Sequence, residues 1–328
     1  MKRQQTGSIL RVLVAVLLTA VVLWRSNPGR VLEVTFGADV LFVCLSVMLV
    51  LVDRTLMAWR WLVLIAPVAD SPRPSLGAIM HVFFVSTFVG TFLGPVSLGG
   101  DAVRAFGLIR HKVAGSSAVA SIFMDRMLGV LSVVALAVVG LVLARDVARE
   151  PLVLAALAAG TAATVVTAVF VFLPAAAQPA VVLAARLPGR ATQRAAANLI
   201  GAVQKYGRAR CELAAVLCAS LAVQALRVVQ AWLLGISLGI TAPAYVYFAF
   251  IPLILLVMLL PVTVLGLGTS QWAFVWFFGR AGIEEPAAFA LSVLFIALGI
   301  VGNLPGAFLF ARDGLHGRHP AGESHTAR

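Results

Sequence analysis

Charge is what this chain has least of. Asp, Glu, Lys and Arg together make up 12% of its 328 residues, against 61% hydrophobic ones. So little charge cannot clothe a soluble globule of this length, and a polytopic membrane protein is expected instead. No GxxxxGK[ST] stretch occurs anywhere, so no nucleotide-driven motor is indicated. Cysteine is also scarce. Cys44, Cys211 and Cys218 lack CxxC spacing and fall in or beside apolar runs, which favours small buried residues over a metal site or disulfide. The acids of the loops expected on the outer face, Glu33, Asp39, Asp146, Glu150, Glu284 and Glu285, have no metal-ligand spacing. No metal, cofactor or catalytic residue is assigned.

Apolar runs long enough to cross a bilayer, about 20 residues each, recur from Ile9 almost to Arg312. The first, about Ile9 to Trp24, ends in "VLWRSNPGR". It lacks a small-x-small cleavage pattern and reads as a retained helix. The net charge of +12 is informative through its position: basic loops mark the cytoplasmic side and face anionic lipid, and nucleic acid is not the expected partner.

Counting from a cytoplasmic N-terminus, crossing helices are expected at about Val40 to Ile65, Ala118 to Ala144, Leu152 to Leu173, Leu213 to Leu238 and Ala287 to Phe310, besides the first. Arg54, Arg60 and Arg73 are read as marking the inner end of the second helix. Residues 78–103 form an apolar stretch of about 26 residues, too short for two crossings, yet the basic segment with Arg104, Arg110, His111 and Lys112 must stay inside. A hairpin entering and leaving on one face satisfies both. The stretch 246–278 needs a second hairpin, opening on the opposite face. The loop with Arg186, Arg190, Arg194, Lys205, Arg208 and Arg210 is cytoplasmic by the same rule, part of it a basic helix on the lipid surface. The expected architecture is therefore all-α, one membrane domain over 1–312: about six transmembrane helices, two oppositely oriented re-entrant hairpins in an inverted repeat, and both termini cytoplasmic. A disordered tail, 313–328, carries three of the five histidines.

The two hairpins share a pattern. "GPVSLGGDAVRAF" and "LPVTVLGLGTSQWAF" align Pro95 with Pro261, Ser97 with Thr263, and Gly99 and Gly100 with Gly266 and Gly268. Proline removes a donor and glycine permits positive φ, so broken tips are expected. Broken backbone at membrane depth survives only when buried or lining a wet cavity, and paired breaks in two opposed halves point to a transport site.

Charges inside the apolar runs are the candidate headgroup ligands. Asp101 and Arg104 stand three apart, on one helix face after the first tip, as an acid–base pair. Asp125 and Arg126 lie two turns into the following helix. Arg126 has two readings, a phosphate ligand or an ion-pair partner of Asp101. Gln224, Arg227 and Gln230 form a polar stripe, and Arg227, read as unpaired, joins the headgroup set. Gln271 and Asn303 are read as interhelical hydrogen-bonding groups, and Arg60, between Trp59 and Trp61, as an interface anchor.

The segments "RWLVLI", "GPVSLGGDAVRAFGLIR", "SIFMDRMLGVL", "LPVTVLGLGTSQWAF" and "LPGAF" together resemble the lysylphosphatidylglycerol synthase transmembrane-region family over nearly the whole chain. The resemblance implies a flippase-like protein of the plasma (inner) membrane that moves an anionic, aminoacylated or polyprenyl-linked lipid. It carries functional weight onto Gly99, Gly100, Asp101, Arg104, Asp125, Arg126, Pro261, Gly266 and Gly268. The family's usual glutamate after the third motif's glycines is replaced by Gln271, and lysine transfer is not implied. Alternatives are a membrane transferase acting on a polyprenyl-phosphate or phospholipid, and a non-catalytic subunit beside a lipid-synthesis enzyme.

Overall fold

A computed structural model describes residues 17–69, 74–92, 98–143, 150–258 and 268–316. Every regular element among them is helical. A helical segment over 17–25 (α1) is followed by α2 (Pro28–Phe36), α3 (Val40–Ile65), α4 (Leu76–Phe92), α5 (Leu98–Arg110), α6 (Gly115–Leu143) and α7 (Pro151–Phe172). Then come α8 (Gln178–Ala185), α9 (Arg190–Lys205), α10 (Arg210–Ser237), α11 (Ala244–Met258), α12 (Thr269–Gly279), α13 (Glu285–Val301) and α14 (Pro305–His316). Single turns of tighter helix occupy Pro174–Ala177 and Tyr206–Arg208.

Five spans among the described residues are long and apolar enough to cross a membrane: Val40–Ile65, Gly115–Leu143, Val153–Phe172, Arg210–Ser237 and Glu285–Asp313. The chain is a multi-pass membrane protein. Half of the expected first crossing, residues 9–16, lies outside the described residues, and 17–24 are helical. Large apolar side chains such as Val40, Met48, Val138 and Val166 stand exposed on these helices, as a lipid-facing surface requires and a water-facing one does not tolerate.

Between the spans sit two helical hairpins whose arms are too short to cross a bilayer. α4 has 17 residues and α5 has 13, against the ~20 a crossing takes. They run antiparallel: a Cβ on Gly90 would lie 3.2 Å from the Gly100 Cα, and one on Gly107 would strike Val82. Gly99 and Gly100 therefore belong to the first turn of α5, not to a broken tip. The job of Gly100 is close approach, since a Cβ there would come within 2.8 Å of the Ser86 carbonyl oxygen. α11, with 15 residues, and α12, with 11, make the second hairpin. Phe250 meets Phe277 at 5.6 Å and Tyr247 meets Phe278 at 5.2 Å between ring centroids. Here Gly268 does adopt a left-handed φ of 84° at the entry to α12. Pro95, Ser97, Pro261, Thr263 and Gly266 lie outside the described residues.

A long helix, then a pair of short antiparallel helices, then a further membrane helix, broken in the second case, occurs twice, in α3–α6 and again from α10. α3 and α10 lie antiparallel. The Asp39 backbone N–H donates to Ser237 O (2.8 Å) at one end, and Arg60 Nη1 donates to Ser220 Oγ (2.9 Å) towards the other. Packing between the halves is reciprocal. α6 presses Gly140 against the Ala249 carbonyl of α11, and α14 presses Gly306 against the Phe84 carbonyl of α4.

Four sequence expectations change. The last helix is two: Gly302, Asn303 and Leu304 interrupt it and Pro305, with no N–H to donate, starts α14. α14 continues to His316, so the start of the expected tail is helical. The segment after the first crossing contains α2, capped by Asn27 and begun by Pro28. The three cysteines are free but exposed, on the outer faces of α3 and α10.

Candidate functional site

Two groups of charge are buried where the halves meet. In the first, Asp125 of α6 stands between two arginines. Arg60 Nη2 of α3 is 2.7 Å from Asp125 Oδ1, and Arg104 Nη1 of α5 is 3.2 Å from Oδ2. All three are nearly inaccessible, at 9% exposure or less. Much of the remaining capacity of the guanidiniums is absorbed locally, although Arg60 Nε has no hydrogen-bond partner among the described residues. Arg60 donates to Ser220 Oγ, and Arg104 Nε donates to Ser86 Oγ at 3.2 Å while its guanidinium sits 4.6 Å over the Phe83 ring and 5.3 Å from Trp61. The result joins α3, α4, α5, α6 and α10 through one carboxylate.

This geometry corrects two readings of the sequence. Arg60 is not an interface anchor, because it is only 4% exposed. Asp101 and Arg104 share a face but do not pair with each other. Asp101 Oδ2 instead accepts from Arg126 Nη2 (2.6 Å) and Nε (2.8 Å), at the half-exposed edge of α5 and α6. The ion-pair reading of Arg126 is the one observed. Spacing of three fixes a shared face; the neighbouring helix decides the partner.

The second group centres on Asp53, near the middle of α3 and 1% exposed. Arg54 Nη1 lies 3.1 Å from its Oδ2 and Arg227 Nε of α10 lies 3.7 Å from its Oδ1. Arg227 therefore has a counter-ion, and Gln224 Oε1 also accepts from it at 3.4 Å. Arg54 reaches across to donate to the Gly299 carbonyl of α13 at 3.3 Å. Neither arginine is sealed in. Both border a cavity of about 270 Å³.

The cavity sits where both hairpins end. Thr91, one residue from the end of α4, and Met258, the last of α11, line it together with Asn303 from the break before α14. Asn303 Nδ2 donates to Thr91 Oγ1 at 2.9 Å, tying the break to the first hairpin. Gly302 makes the junction possible, since a Cβ there would lie 2.9 Å from Val50 Cγ2 and 3.3 Å from Arg54 Nε. Four buried polar atoms on cavity-lining residues, Asp53 Oδ1, Arg54 Nε, Gln230 Nε2 and Asn303 Oδ1, have no hydrogen-bond partner among the described residues. Each leaves a polar interaction open to an occupant. Two guanidiniums, one carboxylate and unmet amide groups beside apolar Leu255 and Phe295 suit an anionic head on an apolar body.

Of the five residues singled out for headgroup contact, Arg227 lines this cavity; Arg104, Asp125, Asp101 and Arg126 make the ion pairs described above. Asp53 and Arg54 were missed. Their charges lie well inside an apolar run rather than at its end, and a charge so placed is itself the signal of a site. Gln271 has a local job: its Oε1 accepts from the Gly268 backbone N–H and, at 3.0 Å, from Ser270 Oγ, capping α12.

A family model described as lysylphosphatidylglycerol synthase TM region matches residues 8–306. The chain belongs to that family. The matched region takes in both hairpins, both arginine–aspartate groups and the cavity at the second of them. No curated protein and no solved structure matches the chain. Membership gives the protein a membrane lipid-related role, and the chemistry of the site carries the rest.

Proposed function

We propose that the protein moves a lipid with an anionic, aminoacylated or polyprenyl-phosphate head between leaflets, with the head passing through the cavity at Arg54 and Arg227. The observation that carries this reading is the cavity itself, in which two arginines share one aspartate at the meeting point of both hairpin ends. A phosphate there gains charge-assisted hydrogen bonds from forked donors, and the surplus positive charge of the group favours it.

The two hairpins are re-entrant in this reading and the halves form an inverted repeat. Arms below crossing length, the antiparallel α3 and α10, and the reciprocal Gly140 and Gly306 contacts support it. Both termini lie in the cytoplasm and the protein resides in the inner membrane, as the basic loops suggest. Arg60, Asp125 and Arg104 act as a strut holding hairpin one, while opening alternates around the second group. A lipid-synthesis enzyme that supplies or uses the lipid is the expected partner class.

The test is leaflet exchange of fluorescent or chemically trapped lipids in liposomes holding the purified protein. Exchange that Arg54→Ala and Arg227→Ala abolish, with the fold retained, supports the reading. Absence of exchange for phosphatidylglycerol, its aminoacyl form and polyprenyl-phosphate sugars overturns it, and turnover of one of those lipids in the same liposomes establishes the transferase alternative.

A further inference from the structure

A second lipid-shaped space lies on the flank of the molecule, away from the central cavity. An apolar groove of about 500 Å³ runs between α6, α7 and α10, walled by Met127, Leu131, Thr164, Ala168 and Leu217. Where it meets the ends of α7 and α10 its character changes. Val171 and Phe172 line the groove on one side and, on the other, a polar basin of about 760 Å³ that holds Gln204, Lys205, Arg208 and Glu212. Arg210 stands at the same end of the groove.

Three cations therefore face one carboxylate at the mouth of an apolar channel. Lys205, Arg208 and Arg210 make no ion pair with any acid among the described residues. Nor do they hang on a loose loop. Tyr206 between them is fully buried and donates to the Leu64 carbonyl at 2.6 Å, burial pushing its phenol above the usual range so that the donor is kept. Gly207 packs so tightly on the end of α7 that a Cβ would lie 2.6 Å from the Val171 carbonyl oxygen. The turn is built to hold its cations at the rim.

We infer that this flank binds one anionic phospholipid, its phosphate held by Lys205, Arg208 and Arg210 and one acyl chain lying in the groove. The division of the two cavities matches the division of the molecule: charge where the head sits, and walls of Met, Leu and Ala where the chain sits. No residue of the central cavity lines this one. The inference holds whether or not the protein moves lipid.

The experiment is native mass spectrometry of the full chain carrying Arg227→Ala, which disables the central cavity, titrated with phosphatidylglycerol and with phosphatidylcholine in detergent. Retention of phosphatidylglycerol should exceed that of phosphatidylcholine, and Lys205→Gln, Arg208→Gln and Arg210→Gln together should weaken it by about tenfold or more. Ala168→Trp, which fills the groove and leaves the cations in place, should also displace the lipid. Glu212→Gln, a surface change that removes the one opposing charge, should tighten binding. Equal retention of the two lipids overturns the inference, as does unchanged retention in the triple variant. So does competition by soluble glycerol phosphate, which would mark a site for free anions.

Discussion

The molecule contains the same arrangement of charge twice, an aspartate between two arginines, and uses it differently each time. Around Asp125, Arg60 and Arg104 are closed in by Ser220, Ser86, Phe83 and Trp61. Around Asp53, Arg54 and Arg227 open on a cavity with unmet amide groups. Composition and formal charge are identical, so neither predicts role. What differs is access: each group leaves one guanidinium Nε without a hydrogen-bond partner among the described residues, Arg60 Nε in the first and Arg54 Nε in the second, but only the second borders a cavity. Where the group is sealed, it holds helices together; where it borders a cavity, a ligand can supply what the protein leaves unmet.

The largest expected effect breaks the closed group. Asp125→Asn leaves two buried arginines without their counter-ion, and the purified protein should lose about 3–5 kcal/mol of stability, read as a large fall in melting temperature in detergent. Asp53→Asn should cost less, roughly 1–2 kcal/mol, because Arg54 and Arg227 reach the cavity and its water. Equal losses would mean that the two groups are both structural. Gly100→Ala should cost ~1–3 kcal/mol, since the added methyl meets the Ser86 carbonyl and forces the arms of the first hairpin apart. Gln271→Ala should cost about 1 kcal/mol, the usual price of an uncapped helix start. The smallest effect is expected at the half-exposed pair: Arg126→Ala should change stability by no more than about 1 kcal/mol. A larger loss there would move Arg126 and Asp101 into the same structural class as Asp125.

Much of the fold was legible in the sequence because membrane burial writes itself as run length. The two stretches too short for two crossings became the two hairpins, α4–α5 and α11–α12, and the spans between them fell close to where hydropathy put them. The break at Gly302 to Leu304 stayed hidden since a run of apolar residues reads as one helix unless its Pro and Gly are weighed as a stop. The site was legible only in part. Arg227 stood out as a costly charge in mid-helix, whereas Arg54 and Arg60 were counted towards topology, where any basic residue near a helix end is taken to face water. Both are in fact committed to buried aspartates, so the inner end of α3 keeps fewer orienting charges than the sequence suggested. Partner choice among Asp101, Arg104, Asp125 and Arg126 depends on how α5 lies on α6, which linear spacing does not contain.

The free cysteines give the protein a built-in compass. Cys44 stands near the start of α3 and Cys211 near the start of α10, and because those helices run antiparallel the two thiols occupy opposite ends of the bundle. Over some 23 residues of helix that is about 35 Å, comparable with the thickness of a bilayer. Cys211, in the first turn of α10 beside Arg210, stands at the water-facing end of its helix, whereas Cys44 shares the lipid-facing side of α3 with Val40 and Met48. A reagent that cannot cross the membrane therefore labels the native chain from the side on which α10 begins.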